Sequence, residues 1–150
     1  MRELDFRLAT LQDAERLFIW RNDPLTRSES HDDSALEPEA HRDWLRRAID
    51  DPHRSLWVVE TGGEAVGTVR ADREEDGWLL SWTVAPEARG NGFGKRMVCQ
   101  WVGQRVGQLD GRLRAEVRVG NKASARIAEA AGLNLAEEKA GVRYYVRDVN

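Results

Sequence analysis

Val84-Ala85-Pro86-Glu87-Ala88-Arg89-Gly90-Asn91-Gly92-Phe93-Gly94-Lys95 is the stretch that decides how this chain folds. Trp78 to Val84 alternate as in a strand, and Pro86 cannot donate to a ladder, so the strand ends there. Gly90, Gly92 and Gly94 strip side chains from the loop, which lets a ligand approach the main chain closely. Phe93, Met97, Val98, Trp101, Val102, Val106 and Leu109 then recur at helical spacing and predict a helix from Gly92 to Leu109. A helix start presents unpaired N–H groups and the positive end of its dipole. Strand, loop and helix together make an anion site, and a pyrophosphate fits it best.

Two common phosphate loops do not match. A dinucleotide fingerprint needs Gly at 90, 92 and 95, and position 95 is Lys. A Walker loop fails because Arg96 follows Lys95 and no Gly stands five residues before Gly94. The segment resembles the acyl-CoA motif of the GNAT superfamily of N-acyltransferases, Arg/Gln-x-x-Gly-x-Gly/Ala. Arg89, Gly92 and Gly94 fill that pattern, after a hydrophobic-Ala-Pro lead-in at Val84, Ala85 and Pro86.

Outward from this loop, Glu3 to Ala9 alternates as a strand, and Thr10 can cap a helix from Leu11 to Arg21. Asn22 to Leu36 is polar and interrupted by Pro24, and reads as a loop. Pro38 suits the first turn of a helix that runs to Asp50. Ser55 to Glu60 and Ala65 to Ala71 flank the hairpin signal Thr61-Gly62-Gly63-Glu64. After the Gly loop come a strand from Arg112 to Val119, a helix from Asn121 to Gly132, and strands at Leu133 to Glu138 and Val142 to Val149. The order β-α-α-β-β-β-α-β-α-β-β is that of the GNAT fold, so the resemblance spans the chain. It implies an α/β (α+β) class: a mixed central sheet of about seven strands flanked by four helices, with the central strands splayed. The 150 residues suit one domain, 1–150.

The resemblance implies acetyl-CoA as cofactor and direct transfer to a primary amine in a ternary complex. Val84, Ala85, Arg89, Gly90, Asn91, Gly92, Phe93, Gly94 and Lys95 would hold it, with Arg96 as a further phosphate partner. Asn121-x-x-Ser124-x-Arg126, followed by Gly132-Leu133, resembles the family's second motif, and places Asn121, Ser124 and Arg126 toward the cofactor. The oxyanion donor would be the Val84 N–H, and Glu116, Asn121 and Val84 form the expected catalytic set. The base stays open among His31, His41, Asp72 and Glu116, with a water relay beside them. Many relatives carry Tyr four residues after the motif's Ser; this chain has Ala128, so the thiolate is expected to take its proton from the ammonium or water, with Tyr144 and Tyr145 of the last strand as lesser substitutes.

Acceptor contacts are expected from Trp20, Arg21, Asn22 and Arg27, from His41 and Trp44 on one helix face, and from Trp82. Arginines beside aromatics suit a phosphate-bearing or nucleotide-linked acceptor. The Trp-Arg-Asn-Asp-Pro run and His-x-x-Trp resemble GNAT proteins that acetylate nucleotide-linked amino sugars, and also those that acetylate ribosomal protein N-termini. A non-catalytic acyl-CoA-binding module is the rival from another class.

Composition closes other routes. Net charge is −3, which gives no nucleic-acid footprint. One cysteine, Cys99, excludes a disulfide framework, and three histidines give no metal-ligand spacing. No apolar run reaches membrane-spanning length, and the N-terminus has no signal region, so a cytoplasmic protein without a membrane partner is expected. A homodimer is common among such folds.

Overall fold

The computed structural model describes residues 3–29 and 34–148. Its strands are β1 (Asp5–Leu8), β2 (Arg54–Thr61), β3 (Glu64–Glu74), β4 (Gly77–Val84), β5 (Arg112–Arg118), β6 (Asn134–Lys139) and β7 (Val142–Asp148). The α-helices among the described residues are α1 (Ala14–Asn22), α2 (Pro24–Ser28), α3 (Pro38–Asp50), α4 (Phe93–Arg105) and α5 (Lys122–Ala130). All seven strands join one mixed sheet in the order β1-β2-β3-β4-β5-β7-β6, antiparallel except for the central β4–β5 pair.

Four helices were expected, and α2 is a fifth. It forms in the segment read as a loop because Asp23 caps it, accepting from the Thr26 N–H, while Pro24 takes the first position, where no N–H is needed. The first predicted helix divides into a 3-10 turn, Leu11–Asp13, and α1. α4 stops at Arg105, short of Leu109, with Gly107 just beyond its end. The last residue of the predicted final strand, Val149, lies outside the described residues.

Strand alternation sorts side chains onto two faces. Thr68 and Arg70 of β3 pair with Thr83 and Ser81 of β4, and all four line one cavity beneath α1 and α3. We call this the acceptor face. The opposite face carries Val69, Leu80, Leu113 and Tyr145, all at most 2% exposed, beneath α4 with its buried Met97, Val98, Trp101 and Val102. Each such side chain contributes about 1.5–3 kcal/mol by leaving water.

The centre of the sheet is pinched at one end and open at the other. Gly77 of β4 pairs with Arg112 of β5, and a Cβ on Gly77 would lie 1.9 Å from the Arg112 carbonyl oxygen, so only glycine permits that approach. Pairing continues to Leu80↔Ala115 and stops. Beyond it β4 stays with β3 as far as Val84↔Gly67, and β5 stays with β7 as far as Arg118↔Val142, so the two strands part. The splay is the one that the GNAT resemblance implies.

Candidate active site

The splay aims main-chain donors at a gap. The Ala85 N–H donates to the Val66 carbonyl at 2.8 Å, on the β3 side. Successive N–H groups alternate across a strand, so the Val84 N–H points the other way, toward the space between β4 and β5. A carbonyl oxygen lying there meets a donor already fixed in place.

Below the splay, Pro86–Ala88 form a 3-10 turn and Gly92 caps α4 in the left-handed region, with φ +75 and no side-chain cap. Gly90 also has positive φ, +81, and a Cβ on either glycine would meet nothing within 4 Å. The main chain is therefore open to a ligand at the N-terminus of a thirteen-residue helix. Asn91 shapes the turn by donating to the Ala88 and Arg89 carbonyls at 3.1 and 3.2 Å. Lys95 is exposed on the first turn, and the Arg96 guanidinium lies over the Phe93 ring at 5.6 Å. Gly94 does a different job: its Cβ would press on Ile127 of α5, at 2.7 Å, and on Val84, at 3.3 Å. A pyrophosphate fits the cradle that Gly90, Gly92 and the α4 N-terminus make.

The Arg89 side chain reaches back to α2. Its Nη2 pairs with Asp23 Oδ2 at 2.6 Å and donates to Thr26 Oγ1 at 2.9 Å, tying the Gly loop to α2. Hydrogen bonding from Arg89 holds the Asp23 carboxyl below the usual carboxylate range.

At the start of α5, Asn121 Oδ1 caps the helix by accepting from the Ser124 N–H at 3.1 Å, which leaves its amide NH2 for a ligand. Ser124 Oγ accepts from the Trp82 indole N–H at 3.2 Å. Trp82 pairs with Val69, so its side chain leaves the sheet toward α5, while the residue also borders the acceptor-face cavity between Ser81 and Thr83. Arg126 is exposed, whereas Ala128 is fully buried, where a phenol would not fit without displacing neighbours. Of the two substitute tyrosines, Tyr145 is 1% exposed in the core, and Tyr144 sits half-buried opposite Glu116.

The cavity encloses about 330 Å³ between α1, α3 and the β2–β4 strands. Trp20, Arg21, His41, Trp44 and Trp82 of the expected acceptor set line it. Asn22 and Arg27 do not. Asn22 instead clasps the chain before α3, donating to the Leu36 carbonyl at 3.0 Å and accepting from its N–H at 2.9 Å. Ser30 and His31 lie outside the described residues. Sequence reading missed Thr68, Arg70, Ser81 and Thr83. The signal was there in Thr68-x-Arg70-x-Asp72, polar residues alternating with Val69 and Ala71 on an internal strand.

His41 is 4% exposed, between Phe18 and Trp44 with ring centroids 5.7 Å away on each side. Burial first, and then the charge of Arg21, push its pKa below the ordinary histidine value. Its Nδ1 is buried without a hydrogen-bond partner. Arg70 lies over Trp44 at 5.5 Å and pairs with Asp72 through Nη2 at 3.1 Å, while its Nε is buried and unpartnered. Among the described residues no carboxylate lines this cavity.

The sheet face of Glu116, undecidable from alternation alone, is fixed by Arg114. Its guanidinium bonds Glu74 at 2.8 Å and Glu116 at 2.9 Å, which puts all three on the acceptor face, with Glu116 just past Leu80↔Ala115, where the strands part. Hydrogen bonding from Arg114 holds the Glu74 carboxyl below its usual range.

A splayed parallel pair with a Gly loop and helix N-terminus on one side, and a cavity for a second molecule on the other, defines an acyl-CoA-dependent transferase. The family model for the acetyltransferase (GNAT) domain matches residues 3–134, and the chain belongs to that family, the acetyl-CoA-dependent N-acetyltransferases. Known structures share the fold. Spermidine N-acetyltransferase from Vibrio cholerae, in complex with CoA and spermine, superposes with a TM-score of 0.84 at 16% identity, covering 96% of this chain and 94% of that one. A ribosomal-protein-alanine N-acetyltransferase from Brucella melitensis gives 0.80 at 21% identity, covering 96% and 99%. AAC(6')-Ib in complex with parmomycin and acetyl-CoA gives 0.82 at 17% identity, covering 97% and 93%. Among curated proteins, none matches the sequence significantly. No helix among the described residues is long and apolar enough to cross a membrane, and no cluster there could hold a metal ion.

Proposed function

We propose that the chain acts as one catalytic domain that acetylates a small amine held in the acceptor-face cavity, a nucleotide-linked amino sugar being the class that suits it best. The carrying observation is the cavity lining: two arginines with Trp20 and Trp44, and no carboxylate among the described residues. The similar proteins bound to spermine and parmomycin take polycations. A polycation needs carboxylates to replace its water, and this cavity offers cations instead. Aromatic faces and guanidinium forks suit a ring that bears phosphate.

Acetyl-CoA, when bound, supplies the thioester acyl group. The chain's own groups do the rest. Gly90, Gly92 and the α4 N-terminus receive the pyrophosphate, Asn121 offers its amide NH2, and the Val84 N–H waits in the gap. Glu116 takes the proton of the acceptor amine, directly or through water, since it stands on the acceptor face next to the splay. Holding amine and acyl donor in register provides much of the rate.

A protein N-terminus is the second reading, favoured by the similarity to a ribosomal-protein-alanine N-acetyltransferase. The test is acetyl-CoA-dependent CoA release with nucleotide amino sugars, polyamines, aminoglycosides and N-terminal peptides, using a blank for the Cys99 thiol. Saturable release with the sugars, and a raised acceptor KM in Arg21→Gln, is expected. Turnover of peptides with unchanged KM in that variant would favour the second reading.

A further inference from the structure

Two buried polar atoms without partners, His41 Nδ1 on α3 and Arg70 Nε on β3, belong to residues that line the same cavity. A buried donor left unpaired is unfavourable, and one bound acceptor in the cavity would relieve both atoms at once. The two residues are linked through Trp44, which His41 touches at 5.7 Å and Arg70 covers at 5.5 Å. Arg21 of α1 is near enough to His41 to act on its charge, and lines the cavity too. We infer that Arg70, His41 and Arg21 form a subsite for a phosphoryl group of the acceptor, on the acceptor side of the splay and separate from the pyrophosphate cradle of the Gly loop.

The inference rests on the reading of this cavity as the acceptor site, and deepens it by naming the group recognised. Arg70 donates Nε–H while Asp72 holds its Nη2, which fixes the guanidinium in place before any ligand arrives. His41 donates from Nδ1, and Arg21 supplies a second full positive charge. The donors come from three elements, α1, α3 and β3, and so suit a tetrahedral oxyanion with three accepting oxygens better than a planar carboxylate with two. Asp72, which holds Arg70 at 3.1 Å, is a neighbouring carboxylate that does not itself line the cavity, and no carboxylate is among the described lining residues.

The test uses inorganic phosphate as probe on the whole chain, with CoA saturating so that the Gly-loop cradle is filled. With three histidines in the protein, the His41 ring proton is assigned by its loss in His41→Gln. Phosphate should move that resonance saturably, acetate should do so at least about tenfold more weakly, and Arg70→Gln should abolish the effect. Arg70→Lys, which keeps the charge but lacks the Nε donor, guards against misfolding and should weaken phosphate about tenfold. Arg46→Gln, on the exposed side of α3, should change nothing. An unmoved His41 resonance, an acetate response equal to that of phosphate, or an unchanged response in both Arg70 variants overturns the subsite. The transfer reading is scored separately by CoA release. Phosphate binding without turnover on any amine would sink that reading and leave the subsite standing. Turnover with no phosphate response would do the reverse.

Discussion

Gly92 separates two effects that glycine substitutions usually mix. Its φ of +75 penalises any side chain, yet a Cβ there would meet nothing within 4 Å. Gly92→Ala should therefore cost only about 1–2 kcal/mol of backbone strain, a fall in Tm of roughly 2–8 °C, and retain measurable acetyl-CoA binding by calorimetry. Gly92→Glu adds a carboxylate where the pyrophosphate is expected, and should abolish binding. Unchanged affinity in that variant would remove the loop assignment. Glu116 carries the second residue-scale prediction. Glu116→Gln keeps a partner for Arg114 but cannot take a proton, so kcat should fall by about 10²–10⁴ near neutral pH. The defect should shrink at pH values above the acceptor amine's own pKa, where no base is needed. A defect constant with pH would make Glu116 a positioning residue. The motif loop was legible residue by residue because phosphate sites depend on backbone and glycine, which a sequence displays. Ser81 and Thr83 were not, since their value comes from strand pairing that sets them opposite Arg70 and Thr68, whose polar alternation the sequence does display.

Among elements, the tie between the Gly loop and α2 is one that the motif does not announce. The motif implies Arg89 at the cofactor, and its side chain holds Asp23 and Thr26, sixty-six and sixty-three residues back in the chain. Asp23 is at once the cap of α2 and the partner of Arg89. Asp23→Asn keeps a capping oxygen and loses the charge, and Asp23→Ala loses both. We expect losses of about 0.5–1 and 1–2 kcal/mol respectively, read as denaturation midpoints. The acceptor KM should rise in both, with acetyl-CoA affinity changed less than twofold, because the cradle is made of backbone. An equal loss of cofactor affinity would mean that the tie serves the loop instead. α2 itself escaped prediction because Asp-Pro reads as a turn, and only the folded chain reveals that Pro24 opens a helix capped by Asp23.

At the scale of the molecule, strand and helix order was readable because hydrophobic period survives in each element, while the sheet order needed the chain's long-range pairing. The edge strand β1 is joined to the helical layer by such a link. Arg7 grips Asp13 with two hydrogen bonds, 2.7 and 2.9 Å, and Asp13 Oδ2 also accepts from the Thr10 N–H at 2.9 Å, closing a capping box. Asp13 is 3% exposed, and hydrogen bonding from Arg7 is the main cause that holds its carboxyl below the ordinary value of 3.8. A folded-state pKa lower than the unfolded one adds stability above the unfolded value, and that stability is lost as pH falls through the folded one. Asp13→Asn should therefore lower Tm at pH 7 by about 4–8 °C, corresponding to roughly 2 kcal/mol in a chain of this size. The gap between wild type and variant should narrow as pH falls below the unfolded carboxylate value and close once both carry a neutral side chain. Glu74, held low by Arg114 at the sheet centre, adds to acid loss in the same direction in both proteins and cancels from the comparison. Thermal melts at pH 7, 5 and 3 decide the matter: a Tm gap that stays constant across them would mean that Asp13 acts through shape and capping, with no part for its charge.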